Sequence, residues 1–215
     1  MQDSQRNSEN TSKQQSILSI LKDHEFVIEQ KFFSLGKKYI IKNSERERVA
    51  FSKRESLKVK EDIKVYKTEK EEKELFRIKQ ENVLNFNGLF GVTDPEGGEV
   101  IGYLKRKGVR SLINDEWQIM DPSKDKIGSV IGDSLVKEAI RRKSFKYIPH
   151  RYKIYHRGED IGIFKQRLTL LRRAYKLQIK DDPDFELDRR LLISLAICLD
   201  AVEDRFRKLK NKKVF

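Results

Sequence analysis

A chain of 215 residues has room for one domain with a tail, or for two small domains at most. With 38% charged and 37% hydrophobic residues it can fill one core, and four prolines are too few for a disordered linker protein. A single cysteine, Cys198, excludes an internal disulfide frame and a thiolate metal site, and fits a reducing compartment.

The net charge of +13 is unevenly spread. Residues 1–100 carry 19 Lys and Arg against 18 Asp and Glu, whereas residues 101–215 carry 28 against 16. Residues 137–176 alone hold 13 basic and three acidic side chains. A field of one sign attracts anionic surfaces and polymers.

From the N-terminus, Met1 to Gln15 is Gln/Ser/Asn-rich without the apolar stretch of a signal peptide, and reads as a solvated tail. Ile17, Leu18, Ile20 and Leu21 form a short apolar patch, either a turn docked on the domain or a membrane or partner contact. From Phe26 the pattern is the period-2 alternation of strands. Val27 to Phe33, Tyr39 to Ile41, Ile63 to Val65, Leu75 to Ile78 and Val83 to Phe86 are predicted strands, with the charge run Glu69 to Glu74 as a solvated hairpin tip.

Three hairpins follow one design. Phe90 to Thr93 turns through Asp94-Pro95-Glu96-Gly97 and returns through Ile101-Gly102. Trp117 to Met120 turns through Asp121-Pro122-Ser123 and returns through Ile127-Gly128, and Tyr152 to Tyr155 turns at Arg157-Gly158 and returns through Ile161-Gly162. Pro and Gly at these places suit type I turns. Ser34-Leu35 before Tyr39, Ser111-Leu112 before Trp117 and Leu170-Leu171 before Tyr175 repeat a corner followed by an aromatic. Short strands so spaced favour a barrel or sandwich.

Two segments read as helical. Asp133 to Lys143 places Val136, Ala139 and Ile140 on one face. In the second, Asp184 is the predicted N-cap, Glu186 and Asp188 occupy the first turn, and Arg205, Arg207 and Lys208 lie near the end, in accord with the helix dipole. Leu191 to Val202 is apolar on every face except Ser194 and Asp200. Twelve residues span about 18 Å, too short for a hydrocarbon core of ~30 Å, so the helix belongs in a protein interior, with a sheet closed around it.

Lys31-Phe32-Phe33-Ser34-Leu35-Gly36-Lys37-Lys38-Tyr39 resembles the opening motif of the LURP-one-related proteins. Val92-Thr93-Asp94 through Ile101-Gly102-Tyr103 to Ser111-Leu112 and Trp117 resembles their central hairpins. Tyr152 to Ile179, Asp188-Arg189-Arg190 and the apolar helix resemble their close. The likeness runs from about Phe26 to Phe206. It implies a mostly β domain, a closed antiparallel barrel of about twelve strands around the C-terminal helix, grouped with the tubby C-terminal domain and the phospholipid scramblases. The expected organisation is a polar tail over 1–22, the barrel domain over 23–208 and a basic tail over 209–215. The Cys- and Pro-rich N-terminal region of scramblases is absent here, and no tubby head-group residue can be matched to this chain.

Two basic segments are the candidate anion sites, Lys105, Arg106, Lys107 and Arg110 in one, and Arg141, Arg142, Lys143, Lys146, Arg151 and Lys153 in the other. Phe145, Tyr147 and Tyr152 are interleaved with the second. Phosphates need several converging donors. The competing reading is a set of solvent-facing strand positions that keep sheet edges unpaired. The basic stretch Arg205 to Lys213 reads chiefly as a helix C-terminus with a solvated tail.

Asp181, Asp182 and Asp184 are interrupted by Pro183 and lack the ligand alternation of a calcium loop, so capping explains them and no metal is expected. His24, His150 and His156 have no partner spacing for a triad or zinc site, Cys198 lies in the apolar helix, and no phosphate-cradling loop is present. No catalytic residues, cofactor or transmembrane span are expected. The leading expectation is a non-enzymatic, cytoplasmic module, peripheral on the membrane, recognising anionic, phosphoinositide-like phospholipid head groups. The alternatives are a protein-interaction scaffold without an anionic ligand, and a nucleic-acid-binding protein using the basic half.

Overall fold

The computed structural model describes residues 19–20, 22–31, 37–54, 61–70, 72–82, 88–107, 116–132, 151–168, 172–180 and 187–212; for 54, 168, 172 and 202–212 it describes the backbone alone. Twelve strands and one helix follow one another: β1 (Glu25–Lys31), β2 (Lys37–Lys42), β3 (Arg48–Arg54), β4 (Asp62–Tyr66), β5 (Glu74–Gln80), β6 (Leu89–Thr93), β7 (Val100–Arg106), β8 (Glu116–Met120), β9 (Lys126–Gly132), β10 (Arg151–His156), β11 (Glu159–Leu168), β12 (Arg172–Ile179) and α1 (Arg189–Lys212). Each strand pairs antiparallel with its sequence neighbours, and β1 pairs β12, so the meander closes into a barrel. Closure removes the edges on which a sheet would aggregate.

The period-2 alternation is realised as an inward apolar set. Phe26, Ile28, Ile63, Val65, Ile78, Val92, Leu104, Ile119, Val130, Ile154, Phe164 and Leu177 are all buried in one core. The three corner aromatics, Tyr39, Trp117 and Tyr175, are at most 2% exposed, as the repeated motif anticipates; the corners themselves lie outside the described residues. Ile20 joins the same core, which favours the docking-turn reading of its patch. β3 was not foreseen; its inward residues are Ala50 and Ser52, and Phe51 between them, on the outer face, is also buried, so burial does not alternate there. The predicted strand Val83 to Phe86 and helix Asp133 to Lys143 lie outside the described residues.

Leu191 to Ala201 are buried without interruption, eleven positions that turn through every face of a helix. α1 touches β1 and β12 and also β6 and β7. In a ring of twelve, β1 and β7 stand opposite each other, so α1 threads the barrel interior. No described helix is long and apolar enough to cross a membrane. α1 begins four residues later than the predicted cap implies. Asp188, rather than Asp184, caps it, its carboxylate accepting the Arg190 amide at 2.8 Å, and no acid stands in the first turn. Asp184 and Glu186 lie outside the described residues.

The hairpin returns Ile101-Gly102, Ile127-Gly128 and Ile161-Gly162 share a packing reason. A Cβ on Gly102 would stand 2.5 Å from the Met120 carbonyl oxygen and 3.2 Å from Leu191 of α1. The third turn differs from the expected type I form. Arg157 and Gly158 both have positive φ, 49° and 93°, as in the primed two-residue turns whose twist matches paired strands. In the second turn the left-handed residue is Lys124, φ 70°.

The alternation of strand direction gives the barrel two unlike ends. The turn end carries the hairpins at 43–47, 67–73, 94–99, 121–125 and 157–158 and receives the start of α1. α1 leaves through the opposite, exit end. Take the two residues of each strand nearest the exit end, 24 positions in all. Lys31, Lys37, Lys38, Lys53, Arg54 and Lys79 come from β1 to β5, and Lys105, Arg106, Arg151, Arg167, Arg172 and Arg173 from β7 to β12. Asp62 and Glu116 are the only acids among those positions. The matching positions at the turn end hold Lys42, Arg48 and Lys126 against Glu25, Glu74, Glu159 and Asp160. The barrel is therefore strongly polarised along its axis.

Candidate anion-binding surfaces

The start and the middle of α1 are each tied to the wall by ions. At the exit end Asp200, fully buried, accepts hydrogen bonds from Tyr39 Oη at 2.8 Å and Lys37 Nζ at 3.0 Å, with Arg173 Nη1 at 3.4 Å. At the turn end Arg190 donates to Asp188 at 2.7 Å and to Asp94 at 2.9 Å. Burial alone would lower the Arg190 pKa, but its hydrogen bonds to Asp188 and Asp94 outweigh that and hold it above the ordinary arginine value. These bonds position the helix. Asp200 neutralises inward-facing cations, which are therefore structural.

The pleat divides the run Lys105-Arg106-Lys107. Arg106 pairs in register with fully buried Trp117 and takes the inward face, leaving Lys105 and Lys107 outside. On β10, Tyr152 and Ile154 point inward, so Arg151 and Lys153 also stand outside and are exposed. One outward row runs from Glu116 opposite Ile131 to Ile131 opposite Lys153, while Lys105 lies in the neighbouring row with Gln118 and Ser129. Lys107 meets Glu116 at 2.7 Å at the head of that row. The predicted residues Lys105, Lys107, Arg151 and Lys153 thus share the outer face of β7–β10, Arg106 does not, and Arg110, Arg141, Arg142, Lys143 and Lys146 lie outside the described residues.

Ile131, 37% exposed, is the exposed large hydrophobic residue of the described chain. It borders a groove of about 470 Å³ floored by Ile127, Ser129 and Tyr155 and edged by Lys126 and Arg157. An apolar floor with a cationic rim suits an anionic amphiphile. Lys153 has only a loose contact with Asp160, at 3.9 Å between exposed groups.

A second cationic surface had no counterpart in the sequence reading. Lys31 on β1 pairs with Lys38 on β2, Lys38 with Lys53 on β3, Lys53 with Lys64 on β4, and Lys64 with Arg77 on β5. Arg172 on β12 pairs with Lys31 on the other side. Each of the five β1–β5 cations has a buried chain neighbour and faces outward, on a face where Ile40 and Phe51 of the next row are also buried. Like charges directly opposite in a sheet repel. Several contacts relieve this repulsion: Glu69 lies 3.5 Å from Lys31, Glu74 3.6 Å from Lys64, Lys38 stands 5.9 Å above the Phe51 ring, and Asp62 binds Arg77 through two bonds of 2.6 and 2.5 Å. The hydrogen bonds to Asp62 raise the Arg77 pKa. The single residues were visible in the sequence, but only strand register aligns them.

Among the described residues no group of three or more His, Cys, Asp or Glu side chains is placed to hold a metal ion. Cys198 is buried in α1, His156 faces the interior, and Asp181, Asp182, Asp184 and His150 lie outside the described residues. Residues 48–200 match the LURP-one-related family profile. No curated protein and no solved structure matches the chain.

Proposed function

This chain belongs to the LURP-one-related family, and on that premise we propose that it is a non-enzymatic module that binds anionic phospholipid head groups at a membrane surface. The observation that carries the reading is the face of β7–β10. There an exposed isoleucine, Ile131, stands opposite Lys153 and beside an apolar groove rimmed by Lys126 and Arg157. Apolar insertion and cationic attraction act together at a lipid interface, each basic residue near an anionic surface contributing about 1 kcal/mol. Lys105, Lys107, Arg151 and Lys153 supply the charge on this face.

Sedimentation with neutral, phosphatidylserine and phosphoinositide vesicles tests the proposal. Pelleting with the anionic vesicles is expected, reduced by I131D and by K105E/K153E. Absence of pelleting with every vesicle at low salt would overturn it and leave the interaction scaffold in front.

A further inference from the structure

The outward row on β1–β5 is a different surface from the lipid face, on the other half of the barrel wall. From it we infer a second binding activity: a track for single-stranded nucleic acid, formed by Lys31, Lys38, Lys53, Lys64 and Arg77.

The shape argues for a flexible linear polyanion. Adjacent strands are about 4.8 Å apart, so five cations on five strands form a line roughly 19 Å long. The line crosses five of the twelve strands of a closed and therefore convex barrel. A flat bilayer meets only the strands near one tangent of such a wall. A single strand can bend along it and place successive phosphates on successive cations. A stiff duplex, with a persistence length of about 150 bp, cannot.

The energetics agree. Each cation has a like-charged neighbour directly opposite, a cost that an anionic ligand would remove. Of the carboxylates beside the row, Glu69 shares an exposed pair with Lys31, at 44% and 45% side-chain exposure, and such a pair contributes only ~0–1 kcal/mol, whereas Glu74 beside Lys64 is 19% exposed. Phosphate oxygens can take over Lys31 at little cost. Arg77 stays held by Asp62 and presents its remaining donors.

Fluorescence anisotropy of the full chain with a labelled single-stranded RNA of mixed sequence, between about 50 and 200 mM salt, tests the inference. Affinity should fall with salt at a log–log slope of about −0.7 per phosphate contact, roughly −3.5 for five. K38E/K53E should weaken binding by at least about tenfold and flatten the slope by roughly 1.4, while K105E/K153E leaves both unchanged. Duplex DNA should bind more weakly than the single strand. The fluorescence of buried Trp117 reports whether each variant is folded, and K38Q/K53Q carries the same reading, with a smaller loss of affinity, if the double reversal is not. No RNA binding at the lowest salt, duplex binding as tight as the single strand, or an unaltered slope in the folded double variant overturns the track. Loss of vesicle binding without loss of RNA binding in K38E/K53E does the same. Vesicle binding that is absent while RNA binding follows the expected pattern removes the lipid reading and leaves the track.

Discussion

The two halves of the barrel wall invert what their charge counts suggest. The strands β1–β5 come from residues 1–100, where basic and acidic residues nearly cancel, yet register lines up one outward cation on each of the five. The strands β7–β11 come from the strongly basic part of the chain. There the pleat turns Arg106 inward, and an exposed isoleucine and an apolar groove separate the remaining cations. Net charge states how much field a segment carries; strand register decides whether it forms a line or a rim. Many acids of the first half lie at the turn end, and two of them, Glu69 and Glu74, reach Lys31 and Lys64 of the row, so the β4–β5 hairpin partly counters the line of cations.

α1 couples the halves, since its middle, at Asp200, is held by β2 and β12 and its start by the β6–β7 turn. The largest expected effect comes from cutting the first tie. Asp200→Ala leaves Lys37 and Arg173 without their carboxylate, 17% and 11% exposed at the side chain. Breaking a buried pair in this way costs about 3–5 kcal/mol, read by urea unfolding. A loss below about 1 kcal/mol would show that the helix does not depend on that tie. Arg190→Ala, which cuts the other tie, should cost less, about 1.5–3 kcal/mol, because its partners Asp94 and Asp188 are 26% and 24% exposed and can be hydrated. If the two variants cost the same, the two ties are equivalent and the contrast drawn between them fails. Gly102→Ala tests the seam on the β7 side, where the new methyl would press on the Met120 carbonyl and on Leu191, at about 1–3 kcal/mol.

Most of the fold was legible because burial writes itself into spacing. The all-round apolar run Leu191 to Val202 had to be enclosed, and the alternation on β1, β4 and β8 fixed which face does the enclosing. The three Ile-Gly returns were visible as a repeat, though their reason, close approach of neighbouring backbone, needed the packing. β3 escaped notice because its inward residues are Ala50 and Ser52, small and partly polar. Asp200 read as an exception in the apolar run, since its partners Tyr39 and Lys37 lie more than 160 positions away. The Lys31–Arg77 row was illegible for the same reason: pairing between strands is long-range information.

The smallest expected effect separates the two halves most cleanly. Lys38 stands between Lys31 and Lys53 with its ammonium over Phe51. Lys38→Met keeps an extended chain in contact with that ring, exchanging a cation–π contact for a sulfur–aromatic one of similar size, and removes one charge from the row. Relief of cross-strand repulsion should stabilise the protein by a few tenths of a kcal/mol at low salt, within the ±0.5 kcal/mol usual for surface changes. At about 1 M salt, where screening acts within ~3 Å, the gain should vanish. Lys105 faces Leu89 and Gln118 in register, with no like charge opposite, so Lys105→Met should show no such salt-dependent gain. Equal salt dependence in the two variants would mean that the charges act through the net field of the protein and that their alignment on β1–β5 carries no energy of its own.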